Sequence, residues 1–349
     1  MKNSKNLRDL TCEELEALFK QRGLQTYRGR QVFKWLAQPG IYSFDQMTDL
    51  PKALRQELGE EFSIFLPEIV KEEVSSDGTR KLVLRLEDKE LIESVIIPEA
   101  DHFTLCVSSQ VGCAMGCTFC LTARMGLRRN LKPHEITAQV LRAREVLIRE
   151  GLSEEKKLRN IVFMGMGEPL ANYDNVLTSL HILLDQRGFN FSRRRVTVST
   201  VGLIPQMEKL GRDITVKLAI SLHAADEEKR SQLMPINKRY PLKELIPACR
   251  RYLLPKGWRI TFEYLMLKGV NDSPKDAHKL AKLLKGIPAK INLIPFNEHP
   301  ALPFKCSSES AILRFQEILL SHGYVGTIRK SKGRDISAAC GQLATRLAA

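Results

Sequence analysis

Cys113, Cys117 and Cys120 lie in the stretch "CVSSQVGCAMGCTFCLTARMG", which holds four of the chain's eight cysteines within fifteen residues. Thiolates at the spacing Cys113-x-x-x-Cys117-x-x-Cys120 suit a soft metal centre. Zinc sites built from cysteine usually pair two C-x-x-C units, or one such unit with two histidines, and neither pattern surrounds this stretch. Iron–sulfur clusters of four irons normally take four thiolates. Three on one tight loop would leave one iron open to a substrate or cosubstrate, and Gly112 and Gly116 would let the backbone approach the cluster closely. The plain alternative is three buried free cysteines in a core loop.

Composition sets the chemical setting. The chain has 349 residues, 43% of them apolar and 27% charged, ordinary values for a globular protein. The start, "MKNSKNLRDLTCEELEALFKQRG", has no apolar run of the signal-peptide kind, and no later run approaches a membrane span. The expectation is a cytoplasmic protein whose thiols stay reduced, so that clustered cysteines mean metal or redox chemistry rather than staples. The formal net charge is +14, which favours association with polyanions such as RNA.

The elements that must position the cysteines follow from periodicity. Thr11 and Glu14 form a capping-box pattern opening the helix "CEELEALFKQRG", and "YRGRQVFKWLAQ" and "LPKALRQELGEEF" also have helical spacing. "IVKEEVSSDGTRKLVLRLEDKELIESVIIPE" alternates apolar and polar residues around Asp77-Gly78, a hairpin signal. From residue 104 the apolar runs "TLCVS", "NIVFM", "RVTVST", "VKLAISL", "RITFEYLM" and "KINLIPF" alternate with amphipathic helices, and a further helix and a strand-like "YVGTIRKS" follow. The expected fold is α/β: a partial parallel (β/α)6 barrel with a small helical accessory domain over residues 1–65, a linking hairpin over 66–100 and a core over 101–349. Parallel α/β folds place ligands outside the carboxyl ends of their strands. Those ends carry the three cysteines, Gly167 and Glu168, Ser199, Ser221 and His223, and Asn297.

The cysteine spacing just after the first core strand resembles the radical S-adenosylmethionine (SAM) superfamily, in which SAM chelates the fourth iron of one 4Fe–4S cluster. "SSQVGCAMGCTFC", "FMGMGEPLANYDNV", "AISLHAADEEKR", "PINKRYPL", "INLIPFN" and "RKSKGRDISAACGQLA" resemble, in order, the dual-specificity rRNA/tRNA adenine-C2 methyltransferases of the RlmN family. The resemblance runs from about residue 10 to the end of the chain. It implies synthesis of 2-methyladenosine in the peptidyl-transferase region of 23S rRNA and next to the anticodon of some tRNAs. C2 of adenine is electron-poor with an unactivated C–H, so the cofactor must carry the hard step.

Residue roles come from the same resemblance. Cys340 matches the cysteine that is first methylated by one SAM and then activated by a radical from a second. Cys106 matches the resolving cysteine, which implies a transient Cys106–Cys340 disulfide and a reductant to open it. Glu93 matches the base that removes the C2 proton. Gly167 and Glu168 match the turn at the SAM amino group, and Ser199, Ser221, Leu222, His223 and Asn297 match the other SAM contacts. Read without the family, Cys340 lies among small residues in a helix-like segment, Glu93 is an exposed strand carboxylate, Cys106 is core and His223 is a turn histidine. Phe119 reads as packing beside the cluster, and Cys12, Cys249 and Cys306 as structural.

Arg28, Arg30 and Lys34, Arg124, Arg128, Arg129 and Lys132, and Arg193, Arg194 and Arg195 are candidate phosphate contacts, which position RNA without reading its sequence. The target base must leave its stack to reach a buried centre. Two other functions fit parts of the pattern: an adenine-C8 rRNA methyltransferase of the antibiotic-resistance type, and a non-catalytic iron–sulfur RNA-binding protein. Nothing in the sequence demands more than a monomer.

Overall fold

Residues 5–344 are described by the structure, a computed structural model. Three helices come first: α1 (Cys12–Gln21), α2 (Thr26–Leu36) and α3 (Lys52–Glu61). The Thr11 hydroxyl accepts from Glu14 N while the Glu14 carboxylate accepts from Thr11 N, the expected capping box of α1. Three antiparallel strands follow, β1 (Glu68–Val74), β2 (Arg80–Arg85) and β3 (Leu91–Pro98), and the Asp77-Gly78 turn joins the first two. Then come β4 (His102–Cys106), a short pair β5 (Gln110–Gly112) and β6 (Leu127–Asn130), and between that pair one turn of helix, α4 (Leu121–Arg124).

The rest alternates. Helix α5 (Pro133–Arg149) and the short α6 (Leu152–Glu155) lead to β7 (Lys157–Phe163), and α7 (Tyr173–Leu184) to β8 (Val196–Thr200). Next are α8 (Ile204–Asp213), β9 (Lys217–Ser221), α9 (Glu227–Leu233), α10 (Leu242–Arg251) and β10 (Ile260–Met266). Helix α11 (Pro274–Leu283), β11 (Ala289–Pro295), α12 (Glu309–Ser321) and β12 (Val325–Ile328) complete the order.

Ten strands form one sheet in the order β1-β2-β3-β4-β7-β8-β9-β10-β11-β12. From β4 to β12 every pairing is parallel, so the strand-like "YVGTIRKS" supplies a seventh parallel strand beyond the six alternations. Laid flat at about 4.8 Å per strand, β3 and β12 would stand about 34 Å apart. Yet Ile97 of β3 and Thr327 of β12 line the same cavity, so the sheet curls around it. It does not close, because β1 and β12 occupy the two ends of the order and do not pair. This is the expected partial parallel barrel.

The first three strands fill the expected linking segment. They extend the barrel sheet through β3–β4, and the outer edge, β1, is studded with Glu68, Lys71, Glu72 and Glu73, charges that discourage a further strand from adding. Apolar side chains of the helices, among them Leu15, Phe19, Val32 and Phe33, share one buried cluster with those of the barrel. Arg8 binds the helical unit together: its buried guanidinium donates to the carbonyls of Ile41 (2.7 Å), Ile64 (3.2 Å) and Leu36. Asp9 accepts from both the backbone N–H and Nδ1 of His134 at the start of α5.

Candidate active site

The cysteine loop is framed by the β5–β6 pair. At Gly112 (φ +74°) a Cβ would lie 1.7 Å from the Gly126 carbonyl oxygen, so only glycine lets the loop close on itself. Cys113 N donates to that same carbonyl at 3.0 Å, Cys120 N to Cys117 O at 3.2 Å, and Thr118 N to Leu233 O at the end of α9 at 3.0 Å. Cys113, Cys117 and Cys120 all face one cavity of about 540 Å³. Among the described residues no three His, Cys, Asp or Glu side chains meet closely enough to hold a single metal ion; the three thiols are set around the cavity wall instead. Burial pushes the Cys113 thiol up to about 12, and Cys117 higher still, with the neighbouring thiolates adding to it. A metal centre must therefore displace protons to bind here.

A buried cation stands ready for that negative charge. Arg230 on α9 is completely buried, and every acceptor it reaches is neutral: Leu222 O (3.2 Å), Asn237 Oδ1 (2.7 Å), Val201 O (2.8 Å) and Ser221 O (3.4 Å). It ties together the carboxyl ends of β8 and β9 and acts electrostatically on Cys117. An unpaired buried charge costs several kcal/mol. Thiolates of a bound cluster would offset that cost.

The turn after β7 is equally tight. At Gly167 (φ +99°) a Cβ would come within 2.6 Å of Gln110, which binds Glu168 N through Oε1 at 2.8 Å. Glu168, 3% exposed, accepts from Leu170 N at 3.0 Å and Val201 N at 2.9 Å. Burial nevertheless raises its carboxyl to about 7, against those hydrogen bonds. Among the described residues no cation pairs with Glu168, and a ligand ammonium would supply one.

Ser199, Ser221, His223 and Asn297 line the same cavity from the ends of β8, β9 and β11. His223 has φ +58°, and its Nδ1 accepts from Leu265 N at 3.1 Å, which assigns the ring proton to Nε2. Burial, with the Arg230 charge, pushes its pKa down to about 3, so the ring is a neutral donor. Phe119 packs edge-on against it at 4.8 Å between centroids. Asn297 Oδ1 is buried with no hydrogen-bond partner among the described residues, and a ligand donor would satisfy it. The Leu222 side chain is buried away from the cavity, and its backbone N–H donates to Glu263 O at 3.0 Å.

Cys340 arrives from the other end of the chain. After β12, residues 329–344 cross the cavity as a strap of turns, not the helix-like segment expected, with Ser337 at φ +51° and Gly341 at φ +79°. Cys340 is an exposed residue that lines the cavity, and burial of its thiol among the surrounding protein pushes the pKa up. Cys106, on β4 between Val95 and Val162, is buried and off the cavity wall; burial and the nearby Cys340 both raise its thiol.

Glu93 corrects a second expectation: it is not exposed but 3% accessible. It sits on β3 with Oε2 unpartnered and Lys81 Nζ 3.9 Å from Oε1, and burial raises its carboxyl. Strand alternation places it on the face that the strap covers, which its local sequence does not reveal.

The structure thus brings the three cysteines, Gly167, Glu168, Ser199, Ser221, His223, Asn297 and Cys340 onto one wall, with Leu222, Cys106 and Glu93 behind it. It adds Glu263, Lys290 and Arg329 to that wall. Glu263, bound by Asn292 Nδ2 at 2.9 Å, was detectable as the one carboxylate interrupting the apolar run "RITFEYLM".

Residues 5–64 match the family described as ribosomal RNA large subunit methyltransferase N-terminal domain, and residues 107–281 match the radical SAM superfamily. Parallel strands ending on one cavity, with a three-cysteine loop just past the first, make this a radical SAM enzyme. The chain is 51% identical over 341 residues to the dual-specificity RNA methyltransferase RlmN of Syntrophus aciditrophicus (98% of this chain, 97% of that protein). It is 54% identical over 339 residues to that of Desulfosudis oleivorans (97% and 90%). A crystal structure of a radical SAM methyltransferase from Sphaerobacter thermophilus superposes with a TM-score of 0.91 at 47% identity, covering 97% of this chain and 99% of that one. The chain belongs to the RlmN family of RNA methyltransferases. Membership of the superfamily implies a 4Fe–4S cluster and SAM, and the thiol ring, the buried Arg230, the raised Glu168 and the orphaned Asn297 oxygen fit both.

Proposed function

We propose that this enzyme methylates C2 of adenine, forming 2-methyladenosine in the peptidyl-transferase region of 23S rRNA and beside the anticodon of some tRNAs. The observation that carries the reading is that Cys340 lines the same cavity as the three cysteines and Glu168. Cys113, Cys117 and Cys120 would hold the cluster. Glu168, beside Gly167, would face the SAM ammonium, and Ser199, Ser221, the Leu222 backbone, His223 and Asn297 would hold the rest of SAM. When bound, the two groups supply one-electron chemistry that yields a carbon radical able to take hydrogen from an S-methyl group.

The chain's own residues do the remainder. Cys340 loses its thiol proton and accepts a methyl group from one SAM; a second SAM is used in the radical step, so two are consumed per product. In the resulting adduct a CH2 group joins the Cys340 sulfur to adenine C2. Glu93, whose carboxyl is held above the ordinary carboxylate range by burial, takes the C2 proton. One electron leaves the radical adduct in that step, for which the cluster would be the acceptor, so that the closed-shell ring is restored. The Cys106 thiolate then attacks the Cys340 sulfur: an S–S bond forms, the S–CH2 bond breaks, and its electron pair stays on carbon, which picks up a proton to become methyl. An external thiol or electron donor must reopen the disulfide. Such chemistry needs a reducing compartment that contains RNA, which is the cytoplasm; no described helix is long and apolar enough to cross a membrane.

The helices of residues 5–64 and the basic rim would hold RNA. Arg128 and Arg129 are engaged by Glu90, Asp88 and Glu135, and Arg193, Arg194 and Arg195 stand at the amino end of β8, opposite the strand ends that face the cavity. Arg329, Lys330 and Lys332 at the cavity mouth are better placed for phosphates around an extruded base. Anaerobic incubation with SAM followed by peptide mass spectrometry tests the reading. One added methyl on Cys340 is expected, and wild-type protein that never carries it would remove the proposal.

A further inference from the structure

We infer that the turn between β1 and β2 is the device that positions Cys340, through a reciprocal clasp of Asp77 and Asp335. The inference rests on the reaction proposed above and assigns it two residues that lie outside the cavity.

The clasp joins segments 256 to 260 residues apart in sequence. Asp77 accepts from Thr79 N at 2.9 Å through Oδ1 and from Gly333 N at 3.0 Å through Oδ2. Asp335 answers from the strap: Oδ1 accepts from Ser75 Oγ at 2.5 Å, and Oδ2 from Ser76 N at 3.0 Å. Lys81 Nζ on β2 adds a bond to Ile336 O at 2.6 Å. Past Cys340 the strap is fastened again, where Gly341 O accepts from Leu121 N at 2.8 Å and Leu343 O from Thr122 Oγ1 at 2.6 Å. Cys340 therefore hangs between two anchors, one on the meander and one on the cysteine loop.

The turn does not need the strap. Its own ladder closes it, with Ser75 N on Thr79 O at 2.8 Å and Gly78 N on Ser75 O at 2.9 Å. Asp77 and Asp335 are both exposed, so neither adds buried apolar area to the core. The strap, in contrast, has only turn bonds of its own beyond β12: Ser337 N on Arg334 O at 3.3 Å, Ala338 N on Gly333 O at 2.8 Å and Gln342 N on Ala339 O at 3.0 Å. Its carboxylate bonds are charge-assisted and fix direction as well as distance. The thiol they hold must meet a methyl donor, then a base, then Cys106, and a displacement of about 1 Å in such a group can cost on the order of a hundredfold in rate.

The test uses full-length, cluster-loaded protein carrying Asp77→Ala or Asp335→Ala. Two ratios are read: S-methyl-Cys340 per protein, and 5′-deoxyadenosine released per 2-methyladenosine formed. Iron content, the cluster's electron paramagnetic resonance signal and the melting temperature should match wild type. Self-methylation should fall and the second ratio should rise, on the order of tenfold or more. Asp335→Asn, which keeps an acceptor but not the charge, should fall between, and Thr122→Val at the second anchor should uncouple in the same direction. An unchanged ratio in both aspartate variants overturns the clasp, as does a loss of product that merely follows iron content or folded fraction. Wild-type protein that forms no S-methyl-Cys340 would instead remove the reaction on which the clasp stands.

Discussion

The loop of residues 113–126 and the strap of residues 329–344 both bring cysteine to the same cavity, and they are held in opposite ways. The loop is locked through backbone: a glycine that tolerates no Cβ, amide bonds to its own carbonyls and to the end of α9, and a buried arginine beneath. The strap is tethered mainly through side chains, the exposed carboxylates of Asp77 and Asp335, Lys81 and the Thr122 hydroxyl, with one amide bond from Leu121 to Gly341, and its cysteine is an exposed residue. Three thiols that ligate a cluster keep one geometry throughout a reaction. A thiol that is methylated, bonded to RNA and then joined to Cys106 must occupy several, and a tether permits what a lock would forbid.

Substituting the tethered cysteine breaks the comparison most completely. Cys340→Ala should abolish methyl transfer while leaving iron content at the wild-type level, measured by nucleoside and iron analysis of the same preparation. Cys106→Ala should leave chemistry intact up to the adduct and so accumulate protein crosslinked to RNA on denaturing gels; if no such species accumulates, the resolving role is wrong.

The lock is probed at Gly112. Gly112→Ala forces a Cβ to 1.7 Å from a carbonyl oxygen at positive φ and should destabilise the loop by about 3 kcal/mol or more, read as lost iron and a lowered melting temperature. Wild-type iron loading in that variant would show the loop to be as adaptable as the strap.

Glu168 gives the smallest and most specific effect. Its folded pKa, about 7, lies above the ordinary 4.5, so the folded state holds this proton more tightly than the unfolded chain. In ligand-free protein the group costs no stability below the lower value; the cost grows as pH rises between the two and is complete above about 7. An ammonium partner reverses the preference, so SAM affinity should increase as pH rises through 7. Glu168→Gln should flatten that profile and weaken binding by about 1.5–3 kcal/mol, measured calorimetrically on cluster-loaded protein.

How much of this was legible in the sequence follows the same division. The cysteine spacing, the Gly167-Glu168 turn and the polar residues ending each apolar run are local patterns, and the strand-end rule gathered them before any coordinates. The capping box of α1 and the Asp77-Gly78 turn are local as well. What escaped was long-range or depended on orientation. Burial of Glu93 requires knowing which face of β3 the strap covers, and the path of residues 329–344 is set by partners some 260 positions earlier. Arg230 has no local signal, because its partners are carbonyls at two strand ends that no periodicity records. The basic run before β8 was visible, but only topology shows that it faces away from the cavity.

The most direct measurement is the identity of the nucleoside made by anaerobically reconstituted wild-type protein from a 23S rRNA fragment and SAM. The account predicts 2-methyladenosine, lost on Cys340→Ala. Formation of 8-methyladenosine alone, or an unmodified fragment from protein that holds its full complement of iron and cleaves SAM, would contradict it.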